Sequence, residues 1–307
     1  MNTLNCLSNG VKIPHIGLGT YPMTGEELTN AVVNAYQVGY RLIDTADNYY
    51  NEKDLGESLN KLYTKTSATR KDMFLVSKVS DELYHPKSVG GGQNKGLYFW
   101  KNSPVMQASG SVHKVVRKKI EDTLKYLQTD YLDLYLMHWP YPDYISEIWY
   151  EMEQIYKEGL VRAIGVCNCR ERHFEKLKAN CVIAPMVNQF ETSPINIRRA
   201  TVDYCNEHNI KIMVYSPLMS LKRLEKEKYQ KCLRELAAKH GKTTAQIVLR
   251  FDVQRGLIPI PKSSHLERLE SNISIFDFEL PGFEMDSLFA CNEDFQYLPE
   301  SKSCPGL

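Results

Sequence analysis

Four residues are best placed to do chemistry: Asp44, Tyr49, Lys78 and His138. Asp44 closes the short apolar run that starts at Arg41, Lys78 closes the run from Phe74, and His138 closes the run from Leu134. Tyr49 lies in the turn just after Asp44. A carboxylate at the end of an apolar strand loses hydration unless something pairs with it, and Lys78 is the candidate partner. A free phenol, with a pKa of about 10, is a poor proton donor at neutral pH. An ammonium beside it favours the phenolate and is expected to lower that pKa. A carboxylate behind the ammonium keeps the lysine charged and oriented. The product is a tyrosine poised to protonate an oxyanion as it forms. A neutral histidine opposite can hydrogen-bond a substrate carbonyl and set its orientation. This chemistry suits carbonyl reduction by hydride and so calls for a nicotinamide cofactor. No Gly-x-Gly-x-x-Gly follows a strand, which leaves a Rossmann site unsupported. His138 is the one histidine placed at a strand end, so converging metal ligands are lacking and no metal is expected.

The elements that position these residues can be read from periodicity. Residues 3–13 read as a β-hairpin around Ser8-Asn9-Gly10, Asn-Gly being a strong hairpin signal. A strand follows at His15 to Gly19. Thr24 and Glu27 have capping-box spacing ahead of a helix with Leu28, Ala31, Val32 and Ala35 on one face. After the Asp44 strand, Asn51 is the expected N-cap of a helix striped by Leu55, Leu59 and Leu62. Strands at 74–78, 132–138, 161–168, 185–189, 211–215 and 257–260 alternate with helical stretches, the last helix starting near His265. Thr243 and Gln246 form a second capping-box pair. Counted from residue 15, the alternation gives eight β/α units, which argues for a closed (β/α)8 barrel with the hairpin plugging its N-terminal mouth. Val, Ile and Leu dominate the strands, as a sheet buried on both faces requires.

One segment breaks the rhythm. Asp81 to Ser111 holds Pro86, Gly90-Gly91-Gly92, Gly96, Pro104 and Gly110 around the aromatic cluster Tyr98-Phe99-Trp100. It is expected to be a long insertion after the third barrel strand that covers the substrate mouth. A disordered excursion and a subunit contact are the competing readings.

Residues two apart in a strand share a face. Leu42 thus pairs in phase with Asp44, Val76 with Lys78, Leu136 with His138, Val166 with Asn168 and Val187 with Gln189. Each polar residue alone reads as an ordinary strand end. Five strands agreeing in phase and end point instead to the C-terminal mouth, where barrel enzymes place their sites.

Composition sets the bounds. The chain of 307 residues carries a formal charge of +1, which implies neither nucleic acid nor an acidic membrane surface as partner. No linker composition interrupts it, so residues 1–307 are expected to form one domain. Met1 to Cys6 lack an apolar signal core, no apolar run is long enough to span a bilayer, and the eight cysteines are scattered. A cytoplasmic protein with reduced thiols, monomeric or weakly homo-oligomeric, is expected.

On these motifs the chain resembles the aldo-keto reductases. The resemblance runs through Leu18-Gly19-Thr20-Tyr21, Gly39 to Ala46 with Tyr49, Ser77-Lys78 and Leu132 to Pro140. It continues through Val161 to Val166, Asn188-Gln189, Tyr215-Ser216-Pro217-Leu218 and Ile260-Pro261-Lys262-Ser263. It implies a (β/α)8 barrel that reduces aldehydes or ketones with NADP(H). Tyr49 would be the general acid, Asp44 and Lys78 its tuning pair, and His138 the carbonyl-orienting residue. Thr20, Asp44, Cys167, Asn168, Gln189, Tyr215, Ser216 and Leu218 would contact the cofactor, with Tyr215 stacking on the nicotinamide. Lys262, Ser263, Arg268 and Asn272 would hold its adenosine end, where a helix N-terminus also favours a phosphate. Tyr21, Tyr49, His138 and Trp139 would line the substrate pocket. The chain departs from the family pattern at Cys167, where Ser is usual, and at Ser271, where Glu is usual. The segment after Leu218 is short, so no long belt over the cofactor is expected. The loop after His138 is short as well, which moves the pocket wall to the 81–111 insertion. Some family members bind NADPH without useful turnover, so a regulatory or interaction subunit is the alternative reading.

Overall fold

A computed structural model describes residues 4–80, 110–141 and 144–297. The aromatic cluster and almost all of the expected insertion, residues 81–109, lie outside the described residues.

The hairpin forms as expected. Strands β1 (Leu4–Cys6) and β2 (Lys12–Pro14) pair antiparallel around Gly10, whose φ of +86° suits glycine. Asn9 donates through Nδ2 to the carbonyl of Arg162 at 2.9 Å. Arg162 stands at the entrance of the strand Ile164–Cys167, so the hairpin is fastened to the N-terminal end of the sheet.

Eight parallel strands follow: β3 (Leu18–Gly19), β4 (Leu42–Asp44), β5 (Phe74–Val79), β6 (Leu134–Met137), β7 (Ile164–Cys167), β8 (Val187–Phe190), β9 (Lys211–Val214) and β10 (Ile258–Pro259). They lie in sequence order in one sheet. Gly17 donates to the carbonyl of Pro259 at 3.0 Å and Gly19 to that of Pro261 at 3.2 Å, joining the first strand to the last. The closure needs glycine. A Cβ on Gly19 would stand 2.9 Å from the Ile260 carbonyl oxygen, and one on Gly17 would meet the Leu42 side chain at 2.2 Å.

Among the described residues, the helices between the strands are α1 (Gly25–Gln37), α2 (Glu52–Lys65), α3 (Val112–Leu127), α4 (Ile145–Lys157), α5 (Glu171–Lys178), α6 (Arg199–Glu207), α7 (Glu227–His240) and α8 (Thr244–Gln254). After β10 come α9 (Leu266–Ile273) and α10 (Gly282–Phe289). Their buried stripes follow the helical repeat: Leu28, Ala31, Val32 and Ala35 in α1, and Leu55, Leu59 and Leu62 in α2. Each fully buried leucine contributes about 1.5–3 kcal/mol relative to exposure. Helix α10 carries no clear signal in the sequence. It is held by a second cluster, in which Leu280 and Leu288 pack with Tyr229, Leu233 and Phe251.

Two expected helix caps turn out differently. Thr24 stands at the N-cap of α1, but its side chain makes no capping bond. Glu27 instead bonds the Ser264 side chain and the Lys262 ammonium, the latter at 3.1 Å. Asn51 stands at the N-cap of α2 without capping it. Its buried amide accepts from Thr45 Oγ1 at 2.8 Å and donates to the carbonyl of Met23 at 2.9 Å, tying the loops after β3 and β4 together. The box at Thr243 and Gln246 forms as expected.

Candidate active site

Asp44 and Lys78 end up buried, because β4 and β5 are neighbours and both residues point to the C-terminal mouth. Lys78 Nζ donates to Asp44 Oδ1 at 2.6 Å and to the carbonyl of Thr45 at 2.7 Å. The Tyr49 hydroxyl lies 3.5 Å from the same Nζ. Gln189, on β8, donates through Nε2 to the other carboxylate oxygen of Asp44 at 2.7 Å. Both oxygens of the carboxylate are thereby satisfied, as a buried charge requires.

The electrostatics follow from burial and from this pairing. Desolvation pushes the Lys78 ammonium down, but the Asp44 carboxylate against it prevails and the lysine is held above its ordinary range. Burial raises Asp44, and the Lys78 ammonium and the Gln189 amide work against that rise. Tyr49 corrects the expectation of a lowered phenol. Desolvation outweighs the pull of Lys78, and the phenol is pushed up to about 12. The ammonium is near enough to help but does not overcome the loss of water around the phenolate.

His138 follows directly on β6. Desolvation, reinforced by the Lys78 charge, holds its imidazole well below the usual range, so the ring is neutral at physiological pH. Its ring centroid lies 5.9 Å from that of Tyr49, edge to face, and Trp139 is nearly parallel to it at 6.4 Å. Tyr21 closes against Tyr49 at 5.1 Å. The four residues expected to line a substrate pocket are therefore brought together.

The strand ends on the far side gather the expected cofactor ligands. Asn168, with a positive φ of 57°, donates through Nδ2 to the His138 carbonyl at 3.3 Å and accepts from the Tyr215 hydroxyl at 3.0 Å. Cys167 is buried beside Lys78 and Asp44, and desolvation pushes its thiol up, so it stays protonated. Thr20 is buried and donates to the Asp44 carbonyl through Oγ1 at 3.0 Å. After β9 the chain turns at Ser216, whose φ is 51°, and a short 3-10 turn, Met219–Lys222, follows Leu218. Lys262, Ser263 and Arg268 stand between β10 and the first turn of α9, with Asn272 in its last turn. Ser263 and Asn272 are buried, whereas Lys262 and Arg268 are exposed. Glu27 occupies this basic corner, bonded to Lys262 and to the Ser264 side chain, which lowers its pKa.

Two participants escaped the sequence reading. Ser80 Oγ lies 2.6 Å from His138 Nδ1, and Asp47 Oδ2 accepts from the Ser80 N–H at 3.1 Å. The strand alternation Val76, Lys78, extended by one step, would have placed Ser80 on the same face. No group of metal-ligating side chains converges among the described residues. Nor is any described helix long and apolar enough to cross a membrane.

Comparison with known proteins agrees with this geometry. The chain is 37% identical over 289 residues to the glyoxal reductase of Bacillus subtilis, covering 94% of this chain and 92% of the relative. It is 35% identical over 284 residues to the methylglyoxal reductase DkgA of Escherichia coli, covering 92% and 90%. Among solved structures, a Bombyx mori aldo-keto reductase in complex with NADP superposes with a TM-score of 0.82 at 29% identity, over 98% of this chain and 96% of that one. The sequence profile of the aldo/keto reductase family matches residues 15–293, and the chain belongs to that family.

Proposed function

We propose that this protein reduces an aldehyde or ketone to the alcohol with NADPH, using Tyr49 as the proton donor. The observation that carries the proposal is the buried Asp44–Lys78 pair, whose ammonium lies 3.5 Å from the Tyr49 hydroxyl. A bound, reduced nicotinamide would supply hydride to the carbonyl carbon. The developing negative charge on the carbonyl oxygen then takes the phenolic proton. With its pKa at about 12, Tyr49 holds that proton at neutral pH and gives it up only to a strongly basic oxyanion. Lys78, locked on Asp44, stabilises the phenolate left behind. His138, neutral and pinned at the mouth, orients the carbonyl oxygen towards Tyr49. The donor set favours an enzyme over an NADPH-binding regulatory subunit, which would not need it.

The residues present fit the cofactor. Gln189 spends Nε2 on Asp44 and keeps Oε1 for a carboxamide, and Tyr215 offers a half-buried ring beside Asn168. At the other end, the Glu27 carboxylate already acts as a stand-in anion for Lys262 and Ser264. A ribose phosphate would meet the same ammonium and hydroxyl, with Arg268 nearby. That preference is for NADPH over NADH. The names of the relatives make short dicarbonyls the first substrates to try. The test is a panel of aldehydes and ketones, including glyoxal and methylglyoxal, assayed for NADPH oxidation. Turnover of at least one carbonyl is expected. NADPH binding without oxidation by any member would favour the regulatory reading.

A further inference from the structure

We propose that Ser80 is a positioning residue for His138: its hydroxyl donates to Nδ1, which leaves the proton on Nε2 to face the substrate carbonyl. The inference rests on the reductase reading above and concerns which nitrogen of the ring carries the hydrogen.

The geometry offers two ways to make the 2.6 Å contact between Ser80 Oγ and His138 Nδ1. The ring could donate to the serine, or the serine to the ring. Ser80 is only 1% exposed, and among the described residues its hydroxyl has no other partner. If Nδ1–H donated, the buried O–H would point at nothing, and leaving a buried donor unpaired is the costlier arrangement. If the serine donates, its hydrogen is satisfied and Nδ1 serves as acceptor. The imidazole is neutral, so its one N–H must then be on Nε2. Among the described residues Nε2 has no hydrogen-bond partner, which leaves that N–H for a ligand. An Nε2–H can donate to a carbonyl oxygen; the opposite tautomer would present a lone pair and repel it.

Ser80 is itself held in place. Its backbone N–H donates to Asp47 Oδ2 at 3.1 Å, and the same oxygen accepts from Lys119 Nζ at 2.8 Å. Asp47 opens the 3-10 turn Asp47–Tyr49, so this carboxylate links the turn that carries the proton donor to the residue that sets the histidine. The backbone at His138 is fixed separately, by its main-chain N–H on the Val79 carbonyl at 3.0 Å and by Asn168 on its main-chain carbonyl. Ser80 therefore controls the proton, with little left to do for the backbone.

The test uses the full-length protein labelled with nitrogen-15 at histidine. The His138 signal is identified by its loss in His138→Gln, and its tautomer is read by NMR between pH 6 and 8. The wild type is expected to show the Nε2–H form throughout. Ser80→Ala is expected to mix the tautomers and to lower kcat/KM for a carbonyl substrate about tenfold, the worth of one such bond. NADPH affinity should stay within twofold, and Ser80→Thr, which keeps the hydroxyl, should restore the wild-type tautomer. An Nδ1–H form in the wild type would overturn the proposal, and that arm stands even if Ser80→Ala does not fold. So would a Ser80→Ala protein that keeps the Nε2–H form, whatever its rate. The tautomer is read on resting protein, so failure to find any reduced carbonyl would count against the reductase reading and leave the NMR result to decide on Ser80.

Discussion

Gln189 Nε2 and Asp44 Oδ2 are 2.7 Å apart, a hydrogen bond that spans the barrel mouth from β8 to β4. Three strands separate the two in the sheet, so only closure brings them together. The bond couples the amide expected to face the nicotinamide to the carboxylate that holds Lys78. Asp44 thus serves both halves of the site, with one oxygen for each.

Asp44→Asn should therefore cost both stability and activity. It leaves Lys78 buried without its counter-charge, and removing one partner of a buried pair costs about 3–5 kcal/mol. Chemical denaturation at pH 7 is expected to show a loss of that order. An unchanged midpoint would mean that Lys78 is not charged in the folded protein.

Glu52 should make stability fall with rising pH. It accepts from Ser77 Oγ at 2.6 Å and from Thr123 Oγ1 at 3.1 Å, yet burial, with Asp47 nearby, raises its pKa from 4.5 to about 7. Between those values the folded protein holds a proton that the unfolded chain has released. Stability is therefore lost as pH rises through that window, by on the order of 3 kcal/mol once above it. Glu52→Gln can keep both hydroxyl partners without the charge. Denaturation curves are expected to coincide near pH 4 and to favour the variant at pH 8. A variant less stable at both values would contradict this.

The basic corner should discriminate between cofactors. NADPH is expected to bind at least tenfold more tightly than NADH, and Arg268→Ala should narrow the gap, since a charge-assisted bond is worth about 1.5–3 kcal/mol. Glu27→Gln should tighten NADPH by about twofold, the small effect of an exposed ion pair, and leave NADH unchanged. Fluorescence titration of both cofactors would check this, and equal dissociation constants in the wild type would contradict it.

Much of this site was legible in the sequence because strand geometry is so regular. Asp44, Lys78, His138, Asn168 and Gln189 share a phase and an end, and the structure collects them at one mouth. What the sequence hid was competition between interactions. Thr24 and Glu27 have capping spacing, but Lys262, far along the chain, takes Glu27. Asn51 suits an N-cap, but the loops after β3 and β4 meet there and claim its amide. The acidity of Tyr49 depends on how dry its surroundings are, which no local pattern reports. Helix α10 is set by the second core cluster more than by its own periodicity.

The role of Tyr49 as proton donor is tested most directly by removing its hydroxyl alone. Tyr49→Phe keeps the ring against Tyr21 and His138 and removes only the hydroxyl. Turnover of the best carbonyl substrate should be measured beside NADPH affinity in wild type and variant. A loss of about 10²–10⁴-fold in kcat is expected, the usual contribution of general acid catalysis, with NADPH bound as in the wild type. Wild-type turnover in Tyr49→Phe would contradict it.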